Sequence, residues 1–195
     1  MDIKALAQKY EPYIIERRRY FHAHPELSFK EWDTTKALVA EFEKMGMEIQ
    51  TFPDYPGLIA TLDTGKPGRT VMLRADIDAL PVKEGTGLEF ASQNEGVMHA
   101  CGHDNHMAML LGAAHILLEK KDELKGKVKF LLQSGEEMAC GAKYYVDHNI
   151  LDGVDAIFGQ HIWGTLDAPY VCVAAGNRMA SCDNFTIRVK GLQSH

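Results

Sequence analysis

Residues 104–121 carry Met107, Leu110, Leu111, Ala114, Leu117 and Leu118 at helical spacing, which makes a strongly apolar helix. Short β-rich apolar runs flank it at 70–75 and 128–133, and a helix over 137–149 leads to a further apolar strand at 154–160. This succession constrains the fold more than any other feature. Strands alternating with helices indicate an α/β layered sheet.

The rest of the chain fits around that pattern. Ile3, Leu6, Tyr10, Ile14 and Phe21 fall near helical spacing, with Pro12 either kinking one helix or starting a second. Ser28-Phe29-Lys30-Glu31 fits a capping box, followed by the stripe Trp32, Thr35, Val39, Phe42, Met45 and by Gly46 as a natural C′ residue. From Met47 the period changes to two, and 58–62 is another β-rich run, separated from 70–75 by the turn Gly65-Lys66-Pro67-Gly68. Over 183–190, Phe185, Ile187 and Val189 alternate with polar residues. That predicts a strand with one wet face, opening a second domain over 177–195 after a first over 1–176.

Composition narrows the function classes. A chain of 195 residues buries about 70% of its unfolded surface, enough for a core without metal or disulfide staples. Twenty-one basic and 27 acidic residues leave a net charge of −6 with no basic run, which argues against nucleic acid as a partner. Cys101, Cys140, Cys172 and Cys182 show no CxxC spacing, so a disulfide framework is not expected. Met1-Asp2-Ile3-Lys4 does not open a signal peptide, and the most apolar stretch, 107–118, falls short of the ~20 residues of a membrane span. The expectation is a cytoplasmic protein with no membrane partner.

The chemistry concentrates in Met98-His99-Ala100-Cys101-Gly102-His103-Asp104-Asn105-His106. Cys101 and His103 are two apart, so in an extended loop both side chains leave on one side. Thiolate plus imidazole suits a borderline-soft divalent metal, and Asp104 is placed to cap the helix that follows. Glu136 and Glu137 come directly off an apolar strand. Adjacent carboxylates on a helix diverge by about 100°, which would let one bind metal while its neighbour acts as general base. Ser134-x-x-Glu137 is equally a capping box, and spacing alone does not choose between the two. Asp76 and Asp78 follow one strand, the paired glutamates a second and His161 a third. Side chains just beyond strand carboxyl ends are where open α/β sheets place their sites. His22, His24, His115 and His148 sit on helices or their ends and read as structural or solvated.

His24-Pro25-Glu26-Leu27-Ser28, Arg74-Ala75-Asp76-Ile77-Asp78-Ala79-Leu80-Pro81, the cluster 98–106, Glu136-Glu137 and Gly159-Gln160-His161 occur in that order. Together they resemble the M20 metallopeptidase family in its amidohydrolase branch. The resemblance implies an aminopeptidase-like layered sheet with helices on both faces, and the start of an inserted α+β lid domain that mediates homodimerisation. It implies a site for two divalent metal ions, zinc or manganese foremost with cobalt or nickel open. Cys101, His103, Glu137 and His161 would be the ligands, Glu136 the general base and Asp78 an orienting carboxylate. Gly191-x-x-x-His195 resembles a lid motif whose histidine reaches the substrate carbonyl.

Two departures stand out. Ser134-Gly135 replaces the Pro-Ala that usually precedes the paired glutamates, and Met138-Ala139-Cys140 replaces a glycine run. Relatives also continue through the rest of the lid to a further metal-binding histidine, so a piece of a longer protein is implied. The resulting expectation is a metal-dependent amidohydrolase that cleaves N-acyl amino acids with a metal-activated water. The rivals are a dipeptidase or aminopeptidase of the same fold, or a non-catalytic metal-binding fragment.

Overall fold

The computed structural model describes residues 2–181, 183 and 185–193. Two units emerge, residues 1–162 and 163–195. The first contains α1 (Ile3–Ala23), α2 (Trp32–Lys44), β1 (Glu48–Thr51), β2 (Gly57–Asp63), β3 (Thr70–Asp76), α3 (His103–Glu119), β4 (Lys127–Gln133), α4 (Gly141–Asp147) and β5 (Ala156–Gly159). The strands form one sheet in the order β1-β2-β4-β3-β5. β3 runs parallel to both β4 and β5, whereas β2 runs antiparallel to β4 and to β1. This is the expected α/β layered sheet, with an antiparallel pair added along one edge.

The period-two pattern of the strands sorts side chains onto two cores. Leu58, Ala60, Leu62, Phe130 and Leu132 face α1, α2 and α3, where they meet Phe21, Leu38, Phe42 and Leu111. Their neighbours Ile59 and Leu131 face the other side, where they join Met72, Phe52 and Tyr145 of α4. Helices therefore cover both faces.

Helix ends show where local signals were outvoted. Pro12 lies inside a single α1 and starts no second helix. α2 ends as its sequence predicts: Gly46 has φ +68, and the amides of Gly46 and Met47 reach the carbonyls of Glu43 and Phe42 at 2.9 and 3.3 Å, a Schellman closure. Its start differs. The Ser28–Glu31 capping box does not form; Glu26 instead accepts from the amides of Asp33 and Thr34 at 3.3 and 2.7 Å, which frees Ser28 and Glu31 for the site described below. Nor does Asp104 cap α3, whose N-cap is Gly102 in the left-handed region with φ 86. The predicted helix over 137–149 is broken, because Gly135 and Ala139 adopt left-handed backbone on either side of a single 3₁₀ turn, Glu136–Met138, and α4 begins only at Gly141.

In the second unit the chain turns between Trp163 and Leu166 and between Asp167 and Tyr170. The predicted strand over 183–190 is not formed by its described residues, and Phe185, Ile187 and Val189 are exposed. A strand needs a ladder partner to satisfy its backbone, and none is found among the described residues. Among the described residues no helix is long and apolar enough to cross a membrane.

Candidate metal centre

The parallel trio β4, β3 and β5 ends on one side of the sheet, with Asp76 paired to Gln133 in register. Asp76 and Asp78 lie at and just past the end of β3, Glu136 and Glu137 follow β4, and His161 follows β5. α3 starts at the same place, so His103 enters from its first residue with Cys101 immediately before it. Glycine suits this position because L side chains rarely adopt its φ of 86, and a Cβ there would also lie 2.3 Å from Ile162 Cδ1.

Atoms from these segments converge. Potential ligand atoms of Cys101, His103 and His161 lie within 4.8 Å of one another, as do those of His103, Glu136 and Glu137, and of Asp76, His103 and His106. Cys101 Sγ is 3.3 Å from His161 Nε2. His103 is common to all three groups. Its Nδ1–H donates to the Asp78 carbonyl at 2.8 Å, which leaves Nε2 as an acceptor lone pair. That buried Nε2 has no hydrogen bond, nor has Glu137 Oε1. Asp76, Glu137 and Glu136 carboxylate oxygens instead surround Nε2 at 3.7, 3.7 and 3.8 Å. These separations are too long for hydrogen bonds but about those of ligands sharing one ion through ~2.1 Å bonds. Anionic oxygens gathered round a lone pair ask for a cation, so the donor set fits a divalent metal.

The electrostatics agree. Burial alone would raise the Asp76 carboxyl, but the hydrogen bond from His106 and the Arg74 cation hold it well below the usual range. Burial opposes a charge on His103, yet the Asp78 hydrogen bond and the surrounding carboxylates raise it. Glu137 is raised by burial and by neighbouring Glu136 and Asp78. Burial, then the Glu137 carboxylate, pushes the Cys101 thiol up to about 12. A cation at the site would reverse these last pressures by neutralising the crowd of acids. Asp78 ties the centre together, its Oδ2 accepting from Ser28 Oγ at 2.7 Å and from the Glu137 amide at 2.9 Å.

Behind the centre lies a network with no sequence signal. Buried His22 presents Nδ1 to Asp104 at 2.8 Å and Nε2 to Glu84 at 3.1 Å, and Arg18 approaches Asp104 at 2.9 Å. The Asp104 hydrogen bond raises His22 above its ordinary value, against the opposing effect of burial. The stability supplied by charged His22 is therefore fully present below its unfolded value of about 6.5 and is lost as pH rises through the raised folded value. Thermal melts at stepped pH should show a decline above neutrality that His22→Gln flattens. An equally steep decline in the variant would assign it to another group.

Of the residues singled out from sequence, Cys101, His103, Glu136, Glu137, His161 and Asp78 are brought together; His195 lies outside the described residues, as does Cys182. Cys140 and Cys172 are exposed. His99, inside the motif, is buried with neither ring nitrogen hydrogen-bonded, and burial lowers it to about 4. His106 donates its Nδ1–H to Asp76 Oδ1 at 2.6 Å and accepts the Ile162 amide on Nε2 at 3.0 Å. Sequence reasoning gave Glu31 only a capping role, whereas its buried carboxylate contacts Ser134 and Gly135. Its only signal was the box that Glu26 made redundant.

A parallel-ended α/β sheet with clustered thiol, imidazole and carboxylate donors defines a scaffold fit to hold divalent metal. The family described as Peptidase family M20/M25/M40 matches residues 72–189, and the chain belongs to it. An N-acyl-L-amino acid amidohydrolase of Geobacillus stearothermophilus is 42% identical over 195 residues, all of this chain and 53% of that protein. Thermostable carboxypeptidase 1 of Saccharolobus solfataricus is 41% identical over 196 residues, 99% of this chain and 50% of its own length. The crystal structure of the Bacillus subtilis YXEP protein, a dinuclear metal binding peptidase from the M20 family, superposes with a TM-score of 0.77 at 44% identity, covering 84% of this chain and 45% of that one. The chain thus spans about half the length of the relatives it matches.

Proposed function

We propose that the chain forms the metal-binding part of an amidohydrolase that cleaves the amide bond of N-acyl amino acids. The observation that carries this is the buried His103 Nε2, unpaired among the carboxylates of Asp76, Glu136 and Glu137. Cys101, His103, Glu137 and His161 would hold two divalent ions. When bound, those ions supply Lewis acidity toward the amide carbonyl and make water acidic enough to deprotonate near neutrality. Glu136, the more exposed of the paired carboxylates, takes the proton of the attacking water and returns it to the leaving amine. Asp78 holds the Glu137 amide and the His103 ring in place. We place the beginning of a lid and homodimerisation domain at 177–195, following a catalytic domain over 1–176, with His195 meeting the substrate carbonyl. Similarity to the N-acyl-L-amino acid amidohydrolase supports this substrate class.

A peptidase is the second reading, favoured by the equally similar carboxypeptidase. The full chain, loaded with Zn²⁺ or Mn²⁺, should hydrolyse N-acyl amino acids of the hippurate type. Cleavage of peptides with no turnover of N-acyl amino acids would give the site to the peptidase instead. Metal binding itself should depend on pH through Cys101, because a thiol must lose its proton to ligate. Cys101→Ser should remove that dependence and lower metal stoichiometry, while Cys140→Ser should leave both unchanged. Wild-type stoichiometry in Cys101→Ser would take the thiol out of the ligand set.

A further inference from the structure

The turn that presents Glu136 and Glu137 is gripped from a distant part of the chain. Glu31, fully buried at the start of α2, accepts from Ser134 Oγ with both carboxylate oxygens at 2.8 Å and from the Gly135 amide at 3.1 Å. Three residues earlier Ser28 donates to Asp78 Oδ2 at 2.7 Å, and the same oxygen receives the Glu137 amide at 2.9 Å. Between them Phe29, a non-glycine residue at φ 64, lays its ring against the turn. A Cβ on Gly135 would lie 2.2 Å from Phe29 Cε1, and Gly135 itself has φ +72.

Ser134 contributes the hydroxyl and Gly135 the amide, and Gly135 has no Cβ to meet the Phe29 ring. Carboxylate, hydroxyl and amide are all buried, so each would be left unpaired if the grip were lost. We propose that Glu31 is a positioning residue: through Ser134 and Gly135 it sets where Glu136 and Glu137 stand, so that metal affinity and turnover depend on a side chain that touches neither metal nor substrate. The proposal rests on the metal-site reading above.

The test compares Glu31→Ala, Glu31→Gln and Leu38→Ala in the full chain, with Mn²⁺ binding followed by calorimetry and kcat and KM measured separately. Losing an outer hydrogen-bond partner of a ligand-bearing segment typically weakens metal binding about 10–100-fold, and Glu31→Ala should fall in that range with kcat reduced and KM held. Glu31→Gln should restore affinity, since a carboxamide oxygen still accepts from the Gly135 amide. Leu38→Ala empties a fully buried site in the same helix and should lower the melting temperature while leaving Mn²⁺ affinity at the wild-type level. If Glu31→Ala does not fold, Ser134→Ala removes one partner with the backbone contact kept, and should weaken Mn²⁺ binding in the same direction. Wild-type affinity in the folded Glu31 or Ser134 variant, or an equal loss in Leu38→Ala, overturns the proposal. Glu137→Gln keeps the readings apart: wild-type Mn²⁺ affinity there would overturn the metal-site reading itself, and the positioning role with it.

Discussion

Glu136→Gln is expected to lower turnover by about 10²–10⁴-fold, the range for losing a general base, while metal content stays at the wild-type level. The neighbouring Glu137→Gln should lose metal as well as activity. The two carboxylates are adjacent in sequence yet unequally placed. The Glu137 side chain is about half as exposed as that of Glu136, at 18% against 39%, and its Oε1 is buried with no hydrogen bond. Glu136 faces the more open side, where an attacking water and a substrate can reach it. Metal analysis of both purified variants beside steady-state kinetics decides the matter, and equal metal loss in the two would show that the roles are wrongly divided.

Asp104→Ala should be the most destabilising single change outside the hydrophobic core. Asp104 is fully buried, and its Oδ2 faces both His22 and Arg18. Removing one member of a buried charge network typically costs about 3–5 kcal/mol, and here it would leave the buried His22 under-compensated and the half-buried Arg18 without its partner. The loss should be visible as a lower denaturation midpoint. Asp104→Asn, which keeps the shape and one acceptor, should fall between the variant and wild type. A full set of melts in which Asp104→Ala matches wild type would mean that the network is hydrated and contributes little. Because Asp104 directly follows His103, the same variant is expected to disturb the start of α3 more than the sheet.

Much of the architecture was legible because it is written in local periodicity. The apolar spacing of Met107–Leu118 side chains, the β-rich runs at 58–62 and 128–133, and the Gly46 terminus each depend on neighbours within a few residues. The resulting elements formed close to where they were expected. Cys101 and His103 were legible for the same reason, since a metal-binding pair two residues apart is a local pattern. The failures were also local rules, broken by partners from elsewhere. Ser28 and Glu31 had the spacing of a capping box but were drawn to Asp78 and to Ser134 and Gly135. The helix expected from 137 was interrupted at Ala139, where the backbone turns left-handed.

By itself the sequence determined most of the elements of the first unit and their order, the chemistry of the donors, and the place of Asp76, Asp78, Glu136, Glu137 and His161 after predicted strands. Short-range sterics, hydrophobic periodicity and side-chain type are enough for that. Only the tertiary structure decided that β2 pairs with β4 and that β3 lies between β4 and β5, because strand order depends on which surfaces bury each other. It alone brought His161 to Cys101 across 60 residues, His22 to Asp104 across 82 and Glu31 to Ser134 across 103. Contacts at such separations leave no periodic trace in the chain. They form because a buried charge or hydroxyl must find a partner once water is gone, and the packed fold determines which partner is within reach.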